Sequence, residues 1–185
     1  MSLIAAVQYS NEEIAEKIEN QKETVSEHIK AYTQNEINGF SHEEEERIRR
    51  GEVTAEQAFE SMIGSTKTEI NDTSAIVGKS IEQLYLTKAS YIGKLGELER
   101  RAVSDYKSLE KEKRGLKAQK TIISHYIKEA ASLEKECDGI VDELLSSLKQ
   151  QLISVGADTQ IIKTIKKAYE DEKILKKSYY LNLYR

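Results

Sequence analysis

Proline and tryptophan are missing from the 185 residues, cysteine occurs once, and glycine only 9 times. Without proline the chain has no obligatory helix breaker, and so few glycines leave little material for the tight turns of an all-β fold. The single Cys137 cannot close an internal disulfide, which excludes a disulfide-stapled scaffold. No run of about 18 apolar residues is present to cross a membrane, and no signal peptide opens the chain. Met1-Ser2-Leu3 reads as an added start joined to a segment beginning near Ile4. A leader or anchor in a longer parent protein therefore stays open, and such a missing anchor is the only route to a membrane expected from the sequence.

Charge is plentiful and unevenly placed. Charged residues make up 32% of the chain and the net charge is −4. Residues 1–75 carry 16 acids against 7 bases, and residues 76–185 carry 16 acids against 21 bases. Acidic early helices lying against basic later ones are the favoured reading over a basic surface for nucleic acid or anionic lipid, since no run of five basic residues occurs and the two halves can neutralise each other. The most basic region contains Arg100, Arg101, Lys107, Lys111, Lys113, Arg114, Lys117 and Lys120. No nucleic-acid binding is expected there, because no platform of aromatic and basic residues accompanies it.

The pattern that organises the chain runs from Gln119 to Val155. Ile122, Ile123, Tyr126, Ile127, Ala130, Leu133, Cys137, Ile140, Val141, Leu144, Leu148 and Leu152 recur in steps of three and four, as one face of a long helix. Such a face must be covered by other helices. A second long helix is expected from Ser74 to about Leu109, carrying Ile81, Leu84, Tyr85, Tyr91, Ile92, Leu95, Leu98, Ala102, Tyr106 and Leu109. Gly93 and Gly96 inside it each cost about 1 kcal/mol relative to Ala, so a close neighbouring backbone or a bend is expected there. Glu110-Lys111-Glu112-Lys113-Arg114-Gly115 reads as the turn of an antiparallel hairpin. Gly156 ends the long helix, Asp158 caps the next, and Ile161, Ile162, Ile165, Ala168, Tyr169, Leu175 and Tyr179 line the last.

Before these come a helix from Ser10 to Ile37 and two short ones. The first carries a thin stripe of Ile14, Ile18, Val25, Ile29 and Tyr32, interrupted by Gln21 and His28, and suits one narrow seam. Ser41-His42-Glu43-Glu44 and Thr54-Ala55-Glu56-Gln57 read as capping boxes. The stretch 64–73 reads as a linker. The expectation is an all-α fold: an antiparallel bundle of three long helices over 74–185, preceded by a region 1–73 with one long and two short helices. Leu95, Leu98, Leu133, Ile140, Leu144 and Ile165 are expected to be buried.

No motif for chemistry emerges, so no catalytic, cofactor-binding or metal residue is assigned. A di-iron bundle needs Glu-x-x-His, but Val25, Gly39 and Ile122 stand three before His28, His42 and His125. One cysteine and three scattered histidines cannot make the common zinc patterns. Cys137 and His125 are about 18 Å apart along one helix, too far for a dyad. Glu43 to Glu46 point around a helix circumference and read as a solvated first turn. Tyr85, Tyr91, Tyr106, Tyr126, Tyr169 and Tyr179 read as rings packed on apolar stripes with hydroxyls at the rim. The ending from Lys176 to Arg185 is aromatic, apolar and basic; it reads as a last helical turn docking on its neighbours, with a membrane surface as the alternative.

Four phrases carry a resemblance: Ser132-Leu133-Glu134-Lys135-Glu136-Cys137-Asp138, Gly156-Ala157-Asp158-Thr159, Tyr169-Glu170-Asp171-Glu172-Lys173 and Lys176-Lys177-Ser178-Tyr179-Tyr180. They resemble the C-terminal region of uncharacterised extracytoplasmic helical domains of clostridial-type Gram-positive bacteria. The resemblance covers about the last half of the chain. It implies an extracytoplasmic helical domain, with an anchor or signal peptide upstream, and it brings no catalytic residue.

The functional expectation is a structural or protein-interaction module without enzymatic activity. A ligand-sensing ectodomain and an anion- or nucleic-acid-binding module are the alternatives. The partner expected is a second copy, met through the N-terminal helix, whose narrow stripe gains little against the roughly 1–2 kcal/mol per residue that backbone ordering costs.

Overall fold

The computed structural model describes residues 10–33, 39–63 and 72–183. Among them every regular element is helical: α1 (Asn11–Thr33), α2 (His42–Arg50), α3 (Ala55–Ile63), α4 (Asp72–Ser108), one 3-10 turn (Lys111–Lys113), α5 (Leu116–Ser154) and α6 (Gln160–Leu183). The all-α fold, with three long helices behind a long N-terminal one and two short ones, is the one expected. The start near Ile4, residues 34–37, residues 64–71 of the expected linker, and 184–185 lie outside the described residues, as do the side chains of Tyr32, Ile63 and 180–183. Asp72 and Thr73, expected in the linker, already belong to α4.

Local chemistry sets the helix ends. Ser10 Oγ accepts from the Glu13 N–H at 3.2 Å while Glu13 Oε2 accepts from the Ser10 N–H at 2.7 Å. Ser41 and Glu44 repeat this at α2, and Thr54 and Gln57 at α3. Each box satisfies two N–H groups that a helix start leaves without intrahelical partners. Gly51 and Gly156 close α2 and α5 in the left-handed conformation, at φ 73° and 68°, which side chains with a Cβ rarely adopt. Asp158 Oδ1 accepts from the Gln160 N–H at 3.0 Å and starts α6.

The chain forms two compact units, each drawing on both sides of residue 73. The first unites residues 1–39, 67–79 and 147–185. Within it α1 packs along α6, and its buried side chains include Ile14 and Ile29 of α1, Val77 of α4, Leu148 and Leu152 of α5, and Ile161 and Ile165 of α6. Ile14 and Ile29 of the α1 stripe are thus covered by the chain's own residues, and Ile18 and Val25 are half-buried.

The second unit unites residues 40–66 and 80–146. Here α4 and α5 form an antiparallel hairpin. Lys94 meets Glu136 at 3.2 Å, Arg101 meets Glu129 at 3.0 Å, and the Tyr126 hydroxyl donates to Asp105 at 2.7 Å. Seven residues forward on one helix match seven back on the other. Arg114 closes the turn by donating to the Leu109 and Lys107 carbonyls at the end of α4, where a cation suits the helix dipole. Phe40, Ile48, Ala58, Ala89 and Ile92 form a core where α2 and α3 meet α4, with the Phe40 and Tyr85 rings edge to face at 6.1 Å.

Gly96 makes this core possible. A Cβ there would stand 1.8 Å from the Arg49 carbonyl oxygen and 2.7 Å from its carbon. The α2 backbone therefore rests directly on α4. Arg100 fixes the contact by donating to the Arg49 carbonyl at 2.7 Å, and the Arg49 side chain binds Glu46 and Glu99. Glu45, only 5% exposed, pairs with Lys88 at 2.7 Å. Removing one partner of such a buried pair typically costs about 3–5 kcal/mol.

Burial departs from expectation at Ile140 and at two glutamates of α2. Leu98 and Ile165 are buried as anticipated, and Leu95, Leu133 and Leu144 are half-buried, but Ile140 is 40% exposed. The buried row of α5 is instead Cys137, Val141, Leu145, Leu148 and Leu152, because a 3.6-residue period rotates Ile140 to the margin. Glu45 and Glu46 are not a solvated first turn: one is buried against Lys88, the other half-buried against Arg49.

Gly93 and Gly96 should therefore respond oppositely to alanine. At Gly93 a Cβ meets only Ile48 Cγ2 at an ordinary 3.7 Å. Gly93→Ala is expected to raise stability by up to about 1 kcal/mol. Gly96→Ala is expected to lower it by about 3 kcal/mol, since backbone must move. Urea denaturation of both variants checks this, and equal effects would contradict the contact.

Candidate functional site

The second unit's hairpin end is the basic region singled out by the sequence, and the structure sorts its residues into two groups. The first group is committed to the fold. Arg100 holds the α2 end, Arg114 holds the turn, and Lys113 pairs with Glu110 at 2.8 Å. Arg101 binds Glu129 and lies over the Tyr126 ring at 5.2 Å from its centroid. His125 also reaches Glu129, at 2.8 Å, and its ring stands edge to face with Tyr126 at 5.1 Å. The Tyr126 hydroxyl is pushed above its ordinary range, chiefly by its hydrogen bond to the Asp105 carboxylate, which binds the protonated phenol.

The second group has no structural task. Among the described residues Lys107, Lys111, Lys117, Lys120 and Lys128 make no ion pair, and all five are exposed. Lys117 and Lys120 stand at the start of α5, whose first turn carries no acid. The helix dipole is positive there, so bases raise the energy of the folded state. From Leu116 to Lys128 no acid occurs at all.

Apolar side chains accompany these lysines. Leu116 is 76% exposed, Ile123 37% and Ile127 54%. With Lys120 they follow one another at spacings of four, three and four residues, which lines them up on one flank of α5 over about 16 Å. The sequence reading placed Ile123 and Ile127 on the covered face and passed over Leu116. A shallow groove, open along its length, runs down this outer side from Leu116 past Lys117, Lys120, Thr121, Ser124 and His125 to Lys128. It encloses no volume in which a small molecule would lose most of its water, as ligand pockets require.

The other weighed residues are not brought together into a site. Cys137 is buried, and His125 is exposed three turns away on the same helix. The Tyr91 hydroxyl is pushed well above its ordinary range, first by burial and then by the charges of Glu134, Cys137 and Asp138. Tyr85, Tyr91, Tyr106, Tyr169 and Tyr179 are half-buried. Among the described residues no cluster of His, Cys, Asp and Glu could hold a metal ion, and no helix is long and apolar enough to cross a membrane.

Comparison with known proteins finds no relative: no family model, no curated protein and no solved structure matches the chain.

Proposed function

We propose that this chain is a non-enzymatic interaction module whose contact surface is the outer flank of α5 at the hairpin end. The observation that carries this reading is the row of exposed Leu116, Ile123 and Ile127 beside lysines with no partner. Large aliphatics in water and unneutralised bases at a helix start both reduce stability. Both features are accounted for by a partner that removes the aliphatics from water and supplies negative charge. The half-closed alternatives fare worse: a ligand sensor needs an enclosed pocket, and the groove is open.

Self-association is the second reading, and the acidic outer face of α1 favours it. Glu12, Glu13, Glu16, Glu19, Glu23 and Glu27 are all exposed. Because Ile14 and Ile29 are buried within their own unit, a second copy would meet this acidic face rather than the apolar stripe. Such a contact would be head to tail, joining α1 of one copy to the α5 flank of another.

Two measurements test the proposal. Replacing Leu116, Ile123 and Ile127 together by glutamine, a good helix former, should lower stability by less than about 2 kcal/mol in total, against about 3 kcal/mol for Ile92→Ala alone. A larger loss in the triple variant would make the three residues part of the core. Sedimentation velocity at tens of micromolar, an ordinary concentration that reveals micromolar contacts, reads self-association, and titrations with polyglutamate and with anionic vesicles read other acidic partners. Engagement of at least one, lost in the triple variant, is the expected result. A wild-type chain that engages none contradicts the interaction reading.

A further inference from the structure

We infer that the partner of the α5 flank is an anionic lipid surface, which rests on the reading of that flank as a contact surface. The geometry suits a plane. Leu116, Ile123 and Ile127 line one side of the helix, while Lys117, Lys120 and Lys128 stand further round the same outer face. A helix laid in the headgroup layer buries such aliphatics at the acyl boundary, and lysine stems are long enough to reach phosphates beside it. The opposite side of α5 is occupied by α4 through Tyr126 and Glu129. The hairpin therefore presents this flank as a rigid edge and does not need to fold on contact.

Competing partners match less of the surface. The acidic outer face of α1 in a second copy offers charge, but Ile14 and Ile29 are turned inward. It would leave the three aliphatics in water. Nucleic acid would use the lysines, but strand binding draws on aromatic rings for stacking. Of the two rings on this segment, Tyr126 is buried and engaged by Arg101 and Asp105, and exposed His125 is turned to Glu129 and to the edge of Tyr126. A bilayer carrying negative headgroups offers phosphate and hydrocarbon together, as the flank does lysine and aliphatic. Attachment of this kind is peripheral and leaves the helix lying on the membrane, not through it.

Co-sedimentation of the full chain with vesicles tests the assignment. Vesicles of phosphatidylcholine with about one-third phosphatidylglycerol are the probe, and pure phosphatidylcholine is the comparison. Binding is expected to the first and not the second, falling at least about tenfold between about 0.1 M and about 0.5 M salt. Two variants make the result specific. The Leu116→Gln, Ile123→Gln, Ile127→Gln chain and the Lys117→Glu, Lys120→Glu, Lys128→Glu chain should each bind at least about tenfold more weakly with unchanged helix content. Acids at the start of α5 favour the helix dipole, so the second variant does not lose binding by unfolding. No binding to anionic vesicles, or binding that both variants keep, overturns the lipid assignment. So does equally tight binding to duplex DNA, which would make the flank a general polyanion surface. If vesicles fail while the same variants abolish self-association or polyglutamate binding, the lipid assignment falls and the interaction module stands.

Discussion

The second unit depends on one close approach, that of the α2 backbone to α4 at Gly96. A side chain as small as a methyl would collide with the Arg49 carbonyl. With hydrogen in its place, the end of α2 comes close enough for Ile48 to join Ala89 and Ile92 in one core. The same approach sets the surrounding charges. Arg100 reaches the Arg49 carbonyl near the end of α2, Arg49 reaches Glu99, and Glu45 reaches Lys88. A nine-residue helix is too short to be stable alone. Its capping box and its left-handed Gly51 satisfy the ends, and the seat on α4 supplies the burial.

That seat was half legible in the sequence. Two glycines inside a long amphipathic stretch indicate a close neighbour or a bend, but not which glycine is responsible. Gly96 faces the Arg49 backbone and Gly93 faces only a side chain, a distinction of about one turn that periodicity does not contain. The capping boxes, the hairpin turn and the stop at Gly156 were legible because each is local chemistry. Glu45 was not. Consecutive glutamates at a helix start look alike, and only the lysine brought in from α4 marks one as buried.

The candidate surface shows a related limit. Spacing alone put Ile123 and Ile127 on a covered face, and they are exposed. Periodicity reports which residues share a side of a helix, not whether a neighbour is there to cover it. Near the hairpin end Val103, Leu116, Ile123 and Ile127 all remain in contact with water, which shows how little covers α4 and α5 there. The lysines were legible as a basic region. Their division into bases that hold the turn and bases that hold nothing required the contacts. For α1 the thin stripe indicated a helix in need of cover, and Ile14 and Ile29 find theirs within their own unit.

The proposed role of the outer flank of α5, surplus to the fold and used in contact, is open to a direct measurement. Lysine acylation followed by mass spectrometry, on the full chain with and without anionic vesicles, addresses it residue by residue. In the protein alone Lys117, Lys120 and Lys128 should react as free lysines, while Lys88, paired with buried Glu45, resists. With vesicles those three should become shielded while the exposed Lys149 and Lys163 react as before. Unchanged reactivity of the three, or shielding spread evenly over all lysines, would contradict a contact role for this flank.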